Sequence, residues 1–333
     1  MMPTPDISIL IATYDRLEPL EQTLRSVLAQ RNTLDLGFEI IVVDNHPTVS
    51  ARDVVRHIAG QAPFPVRYLQ DTRRNMSTLR NTGIAAARGT YVAFIDDDEV
   101  ADPGWTDALV SALRRTRADI AVGPRLAVFA DGRAPAYDPQ GRFFARDLQL
   151  PADAELRLLN DLGKPMMGLG TGNSIFVAAT CFAAAEPFSL AFGDAGGEDQ
   201  ELFCRLYREG RRLIWVPDAR VTETVLPHRT AIAYRLLRTR REAQHYVTIH
   251  LENTERKRLV FAILTAKGLI QTVVGATLAA LTFEFASQRR IRFRLILANG
   301  LGKLSWRRPV GYIKEQGEGS ALDPARAGGS CIP

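Results

Sequence analysis

Four consecutive acids, Asp96-Asp97-Asp98-Glu99, follow the uncharged run Tyr91-Val92-Ala93-Phe94-Ile95. β-Branched and aromatic residues in a run of that length read as a buried strand, so the acids arrive together at its carboxyl end. Negative charge of that density repels itself unless a cation or bound water offsets it. Asp96 and Asp98, at i and i+2, are spaced to approach one hard divalent ion, which takes oxygen ligands. The competing reading is a solvated acidic turn capping a helix that starts near Pro103. A second acidic pair, Glu198-Asp199, follows Phe192-Gly193-Asp194-Ala195-Gly196-Gly197 and opens a helical pattern. Acids in a first helical turn are favoured by the macrodipole whether or not they do chemistry.

The elements that must position these acids alternate along the chain. Ile7–Ala12, Glu39–Val43, Val66–Leu69 and Tyr91–Ile95 read as strands, with helical patterns over 17–30, 50–59 and 77–88 between them. That alternation implies βαβ units and a mainly parallel sheet, with Asp119–Val122 as a further, edge strand. Polar residues stand at successive strand ends: Thr13, Tyr14 and Arg16, then Asp44, then the aspartates. In an open α/β sheet a nucleotide lies there. No GxGxxG follows the first strand and no GxxxxGK[ST] occurs, which disfavours a dinucleotide dehydrogenase or a P-loop NTPase.

The pieces ILIATYDR, IIVVDN, RNTGIAAARG, FIDDDE and GGEDQELFCRL, in that order, resemble the GT-A nucleotide-sugar fold of family 2 glycosyltransferases over roughly residues 5–230. By that resemblance Thr13, Tyr14 and Arg16 line the nucleotide pocket, and Asp44 accepts a hydrogen bond from a pyrimidine edge. Arg80 lies near the base or diphosphate, against the alternative of a surface cation on its helix. Asp96 and Asp98 match the DxD motif that holds Mg²⁺ or Mn²⁺ against the sugar diphosphate, with Asp97 between them in the donor site. Asp199 is the catalytic base, and Glu198 positions the acceptor or the helix. A histidine after the base completes the metal site in related enzymes; His228 is that candidate, or a merely structural one. A Gln-x-x-Arg-Trp motif of processive synthases is absent, which favours addition of a single sugar.

Two stretches lie outside the alternation. Residues 129–162 are loop-like and rich in Gly and Pro, and acceptor specificity is expected there. The glycine-dense Lys164–Asn173 segment is expected to floor the sugar site, since Gly lets a backbone approach a ligand closely. Glycine-rich turns without function are also common.

Of 333 residues, 46% are hydrophobic and 24% charged, an ordinary globular balance with room for one large domain or two. The formal charge of +5 hides an asymmetry: 205–308 holds 21 Lys and Arg against 7 Asp and Glu. Such a surface favours phosphates or anionic lipid; a nucleic-acid reader is ranked last because no reader motif or interleaved aromatics accompany it. Cys181, Cys204 and Cys331 form no CxxC and no cluster with His, so reduced thiols in a cytoplasmic protein are expected. No basic region followed by an apolar run precedes the first strand, unlike a secretory signal.

Arg256-Lys257-Arg258 precedes a largely apolar run, 259–283, and Arg289, Arg290, Arg292 and Arg294 follow it. Basic residues on both flanks do not suit a single crossing; a re-entrant or interfacial helix on the cytoplasmic leaflet fits better, with a buried core helix as the alternative. The division expected is a catalytic domain over 1–230, a membrane-associating helical region over 231–314 and a disordered tail over 315–333, ending Cys331-Ile332-Pro333. The whole chain is similar to succinoglycan-type exopolysaccharide glucosyltransferases. The resemblance implies an inverting, metal-dependent enzyme that moves a sugar from a nucleoside-diphosphate donor, UDP-linked, to a saccharide or lipid-linked saccharide acceptor at the cytoplasmic face of a bacterial inner membrane. The rival is a catalytically inactive relative that docks on anionic membrane.

Overall fold

Strands buried along both faces and helices with one apolar stripe build the first half of the chain, as strand–helix alternation requires. The computed structural model describes residues 4–48, 50–161, 163–194, 196–282 and 288–309. β1 (Ile7–Thr13) and β2 (Phe38–Asp44) are buried almost throughout. Between them α1 (Leu17–Leu28) turns Leu20, Leu24 and Val27 inward at helical spacing. α2 (Arg52–Ala59), β3 (Val66–Gln70), α3 (Met76–Ala86) and β4 (Tyr91–Phe94) continue the alternation. α3 starts at Asn75, whose side chain accepts the Thr78 main-chain N–H at 3.0 Å.

After β4 the chain reverses. β5 (Glu99–Ala101), α4 (Trp105–Thr116), β6 (Ile120–Val122) and β7 (Arg125–Phe129) come first, and β8 (Ser174–Val177), α5 (Ala178–Cys181) and α6 (Glu198–Arg208) follow a long irregular stretch. β9 (Leu213–Trp215) and β10 (Val221–Val225) complete the strands. The main sheet has the order β3-β2-β1-β4-β8-β6-β9. Its first four strands are parallel, whereas β8 runs antiparallel to both β4 and β6, so the sheet is mixed. The expected edge strand at 119–122 is interior, between β8 and β9. Both of its hydrogen-bonding edges are taken, whereas an edge strand leaves one unpaired.

A second sheet, β5-β10-β7, explains the acids' placement. Glu99 does not prolong β4 but begins β5, which pairs antiparallel with β10. Asp96, Asp97 and Asp98 therefore occupy the bend between two sheets. The core divides over the two faces of the main sheet. Trp105, Leu109, Leu24 and Val55 pack on one; Phe94, Phe176, Phe203 and Trp215 pack on the other. Phe94 meets Phe176 and Phe188 edge-on at 5.6 and 5.9 Å.

Beyond the sheets lie the short α7 (Pro227–Thr230) and three long helices, α8 (Ile232–Glu252), α9 (Lys257–Leu281) and α10 (Gln288–Leu304). α9 and α10 pair antiparallel through glycines. A Cβ on Gly275 would stand 2.5 Å from the Leu297 nitrogen, and one on Gly300 2.6 Å from the Thr272 nitrogen. α10 also packs on α8, where Gln244 Nε2 donates to the Ser305 carbonyl at 3.1 Å. α9 keeps one bare face: Leu259, Ile263, Ile270, Val273 and Leu281 are exposed while Val260, Leu264, Gly268 and Gly275 face inward. The expected disordered tail and Cys331 lie outside the described residues.

Candidate active site

The tips of β1, β2 and β4, the start of α6 and the glycine loop before β8 converge on one cleft. After Ile95 the Asp96 main-chain N–H donates to Glu99 Oε2 at 3.0 Å. Asp97 turns toward β1, accepting from Thr13 Oγ1 at 2.7 Å and Arg16 at 2.9 Å. Burial outweighs the opposing Arg16 charge and pushes the Asp97 carboxyl up to about 6. Asp98 lies 2.8 Å from Arg16 and 3.2 Å from Arg229. Burial, and next the Asp98 charge, hold Asp96 above the usual carboxylate range, with Arg80 opposing. Glu99 is fully buried and raised well above its ordinary value by burial and then by Asp96; its Oε1 accepts no hydrogen bond. The bend thus gathers more negative charge than its burial favours.

Opposite stands α6. Gly196 and Gly197 enter it at φ +87° and +89°, the left-handed region that favours glycine. Asp199 accepts from Thr171 Oγ1 at 3.0 Å and pairs with Arg80 at 3.0 Å. Arg80 also pairs closely with Glu198. Burial raises Asp199, Arg80 pulls it down, and Glu198 adds to the rise; the net direction is upward. Burial disfavours the Arg80 cation, yet Asp199 and Glu198 outweigh it, so Arg80 stays charged. Arg80 is therefore not the surface cation of the alternative reading. It is buried beneath the two acids of α6 because only their charge compensates its desolvation.

The glycine loop joins the two acidic groups. A Cβ on Gly172 would fall 2.5 Å from Asp96 Oδ2 and 2.8 Å from Glu99 Oε1; one on Gly170 would lie 3.5 Å from Asp199 Oδ2. Arg146, from the long irregular stretch, gathers the loop's carbonyls: it donates to Gly170 at 2.7 Å, Gly172 at 2.5 Å and Asn173 at 3.1 Å, and also to Gly123 at 3.2 Å. Burial, and then Arg125, lower its guanidinium to about 10. Trp105 Nε1 fixes the loop's far end by donating to Asn173 Oδ1 at 2.7 Å.

At the open side Tyr14 is half-exposed, with its ring 5.2 Å from that of His46 at the tip of β2. The Asp44 carboxylate is fully buried and accepts from the His46 and Ala51 N–H groups at 2.9 and 3.0 Å and from the Ser50 and Tyr68 hydroxyls at 3.3 and 2.9 Å. Those donors satisfy a buried anion at the tip of β2. His228 is exposed on α7, edge-on to Tyr234 at 6.1 Å, and is held toward its neutral form by burial, Arg229 and Arg16. Among the described residues no three His, Cys, Asp or Glu side chains form a closed metal cage. Sequence reasoning passed over Arg229, Arg146, Thr171 and His46. Only His46, beside the strand-end Asp44, carried a positional signal.

Comparison with known proteins shows the family and the fold. The model of "Glycosyl transferase family 2" matches residues 8–181. The "Succinoglycan biosynthesis protein ExoM" of Rhizobium meliloti is 29% identical over 299 residues, covering 90% of this chain and 92% of its own. Among solved structures, S. aureus TarS 1-349 in complex with UDP aligns with a TM-score of 0.53 at 17% identity, over 92% of this chain and 93% of its own. The mannosyltransferase PcManGT from Pyrobaculum calidifontis, in complex with GDP-Man and Mn²⁺, gives 0.55 at 20% identity, over 91% and 88%. At those identities the solved structures speak to the fold, which is GT-A.

Proposed function

The chain belongs to glycosyl transferase family 2, and from that premise we propose an inverting transferase that moves one sugar from a UDP-linked donor to a lipid-linked saccharide. The observation that carries the reading is the pairing across one glycine loop: Asp96 at Gly172 and Asp199 at Gly170. A leaving group and a base need such opposed placement for a single displacement. Asp199, raised by burial, takes the proton of the acceptor hydroxyl. The hydroxyl oxygen then bonds to the anomeric carbon from the face opposite the diphosphate, which departs with the bonding electrons. Arg80 and Thr171 hold Asp199 in place, and Glu198 anchors Arg80. Tyr14 and His46 are placed to flank the nucleobase, and Arg16 and Arg229 to offset diphosphate charge.

The family implies Mg²⁺ or Mn²⁺, and the residues fit it. Asp96 and Asp98 are hard oxygen donors in a bend with surplus negative charge and an unpartnered Glu99 oxygen. Such ions are usually held by one or two carboxylates, with substrate phosphates and water completing the shell. When bound, the ion supplies Lewis-acid neutralisation of the leaving diphosphate.

The catalytic unit is residues 1–230, and the helical region beyond it is read as resting on the cytoplasmic leaflet. α9 is long enough to cross a bilayer, about 37 Å at 1.5 Å per residue. Only 22% of its most apolar window is buried, which favours contact with lipid over a place in the core. The chain beyond it returns to the catalytic unit, where Gln288 Nε2 donates to the Ala136 carbonyl at 2.8 Å, which favours lying over crossing. Transfer assayed with UDP-sugars and a membrane extract as acceptor source tests the reading. Metal-dependent release of UDP that rises with extract is expected; no UDP release under any donor would overturn it.

A further inference from the structure

A narrow recess runs between the irregular stretch and α8, and its lining residue Arg229 lies 3.2 Å from Asp98. Phe143, Phe144, Arg229, Tyr234, Arg235 and Arg238 line it. Its volume is about 310 Å³ with the open mouth included. The Arg235 guanidinium stacks on the Phe143 ring at 4.8 Å, and its Nε donates to no protein acceptor. The lining carboxylate, Glu223, is held by Arg229 at 2.6 Å and Arg125 at 3.1 Å. Glu242, one turn on, lies 3.0 Å from Arg238 and 3.4 Å from Arg235. Cations outnumber acids here, and planar guanidinium forks match phosphate oxygens.

The recess also connects to the apolar helix. Phe143 meets Tyr137 at 6.4 Å between ring centres, Tyr137 donates to the Thr230 carbonyl at 2.8 Å, and the neighbouring Ala136 carbonyl holds Gln288 at the start of α10. The first turn of α10, the helix after α9, thus touches the loop that forms the recess wall. The sequence over 256–308 holds 11 Lys and Arg against 1 acid, Glu284. A lipid lying along α9 would bring its phosphate to this wall, with its sugar directed toward Asp98 and the base.

We propose that the recess is the subsite for the phosphate of a lipid-linked acceptor, with Arg235 and Arg238 as its forks and Phe143 as the platform that holds Arg235. This rests on the reading of the chain as a transferase to such an acceptor. The donor's diphosphate belongs at Asp96 and Asp98, so a second anion site one helix away gives the acceptor its own anchor.

The test is calorimetric titration with farnesyl diphosphate on the full chain in detergent, with and without saturating UDP and Mn²⁺. Binding that survives UDP and weakens at least tenfold in Arg235→Gln and in Arg238→Gln is expected, with Arg235→Lys intermediate. Complete displacement by UDP would place the ligand in the donor site and overturn the proposal. So would unchanged affinity in both variants, or pyrophosphate binding as tightly as farnesyl diphosphate, which would mark a free-anion site. Arg238 is the more exposed, so its variant reads the subsite even where Arg235→Gln does not fold. A wild-type chain that ignores UDP but binds farnesyl diphosphate through these arginines would count against the donor reading and leave the subsite standing.

Discussion

At the residue scale the account turns on carboxylates whose environments differ. Asp199 is raised by burial and by Glu198 against the pull of Arg80, and it must be deprotonated to accept the acceptor proton. Because its pKa lies above that of an ordinary aspartate, its basic form is lost at a higher pH as acid is added. The acid limb of a pH–rate profile under saturating donor should therefore fall above the ordinary aspartate value of about 3.9. Arg80→Met removes the lowering charge and should move that limb further up while cutting turnover at pH 7. A limb that stays put would mean another group serves as base. Glu198→Gln leaves an amide to meet Arg80 and should retain measurable transfer, assayed under the same conditions.

At the element scale the glycine loop is the joint between leaving-group site and base. Gly172→Ala would drive a Cβ within 2.5 Å of Asp96 Oδ2, so the Asp96 side chain must shift. The expected result is a drop in turnover of at least about tenfold, since misplacement by ångströms costs such factors, with thermal unfolding near that of wild type. Wild-type turnover would show that Asp96 needs no fixed position. This joint was only half visible in the sequence. Apolar runs marked β1 to β4, and polar residues at their ends marked the cleft, because burial on both faces leaves an unbroken hydrophobic signature. The second sheet was not visible: β5 is three residues long and begins on an acid, Glu99, which no strand pattern favours. The antiparallel run of β8 was hidden too, since a period of two is the same in either direction. Arg80 was placed at the site only by resemblance and Arg146 carried no signal; the fold buries both, against acids and carbonyls from distant segments. Asp44 shows the converse, a strand-end acid whose partners Ser50, Ala51 and Tyr68 come from the elements around it.

At the scale of the whole molecule, an enzyme core carries a helical region with one bare apolar face and a basic surround. Vesicles containing anionic lipid should bind the protein, and high salt should release part of it, because screening weakens the charge contribution while apolar insertion persists. Neutral vesicles should bind it less. A cysteine at the end of α9, in Leu281→Cys combined with Cys331→Ser, should be labelled from the side that holds the catalytic unit. Background from Cys181 and Cys204 should be low, as burial pushes both thiols up to about 12. Labelling only from the opposite side would establish a crossing and overturn the interfacial placement.

The central claim is that leaving group and base sit on opposite sides of one loop, each with its own acid. Titration of UDP-sugar in the presence of Mn²⁺, paired with transfer rates, tests it on Asp98→Asn and Asp199→Asn together. Asp98→Asn should lose metal-dependent donor binding and turnover alike. Asp199→Asn should lose transfer by about 10²–10⁴-fold, the range for a general base, while donor affinity stays near wild type. Donor binding that collapses in Asp199→Asn, or turnover that survives in Asp98→Asn, would contradict the assignment of the two sides.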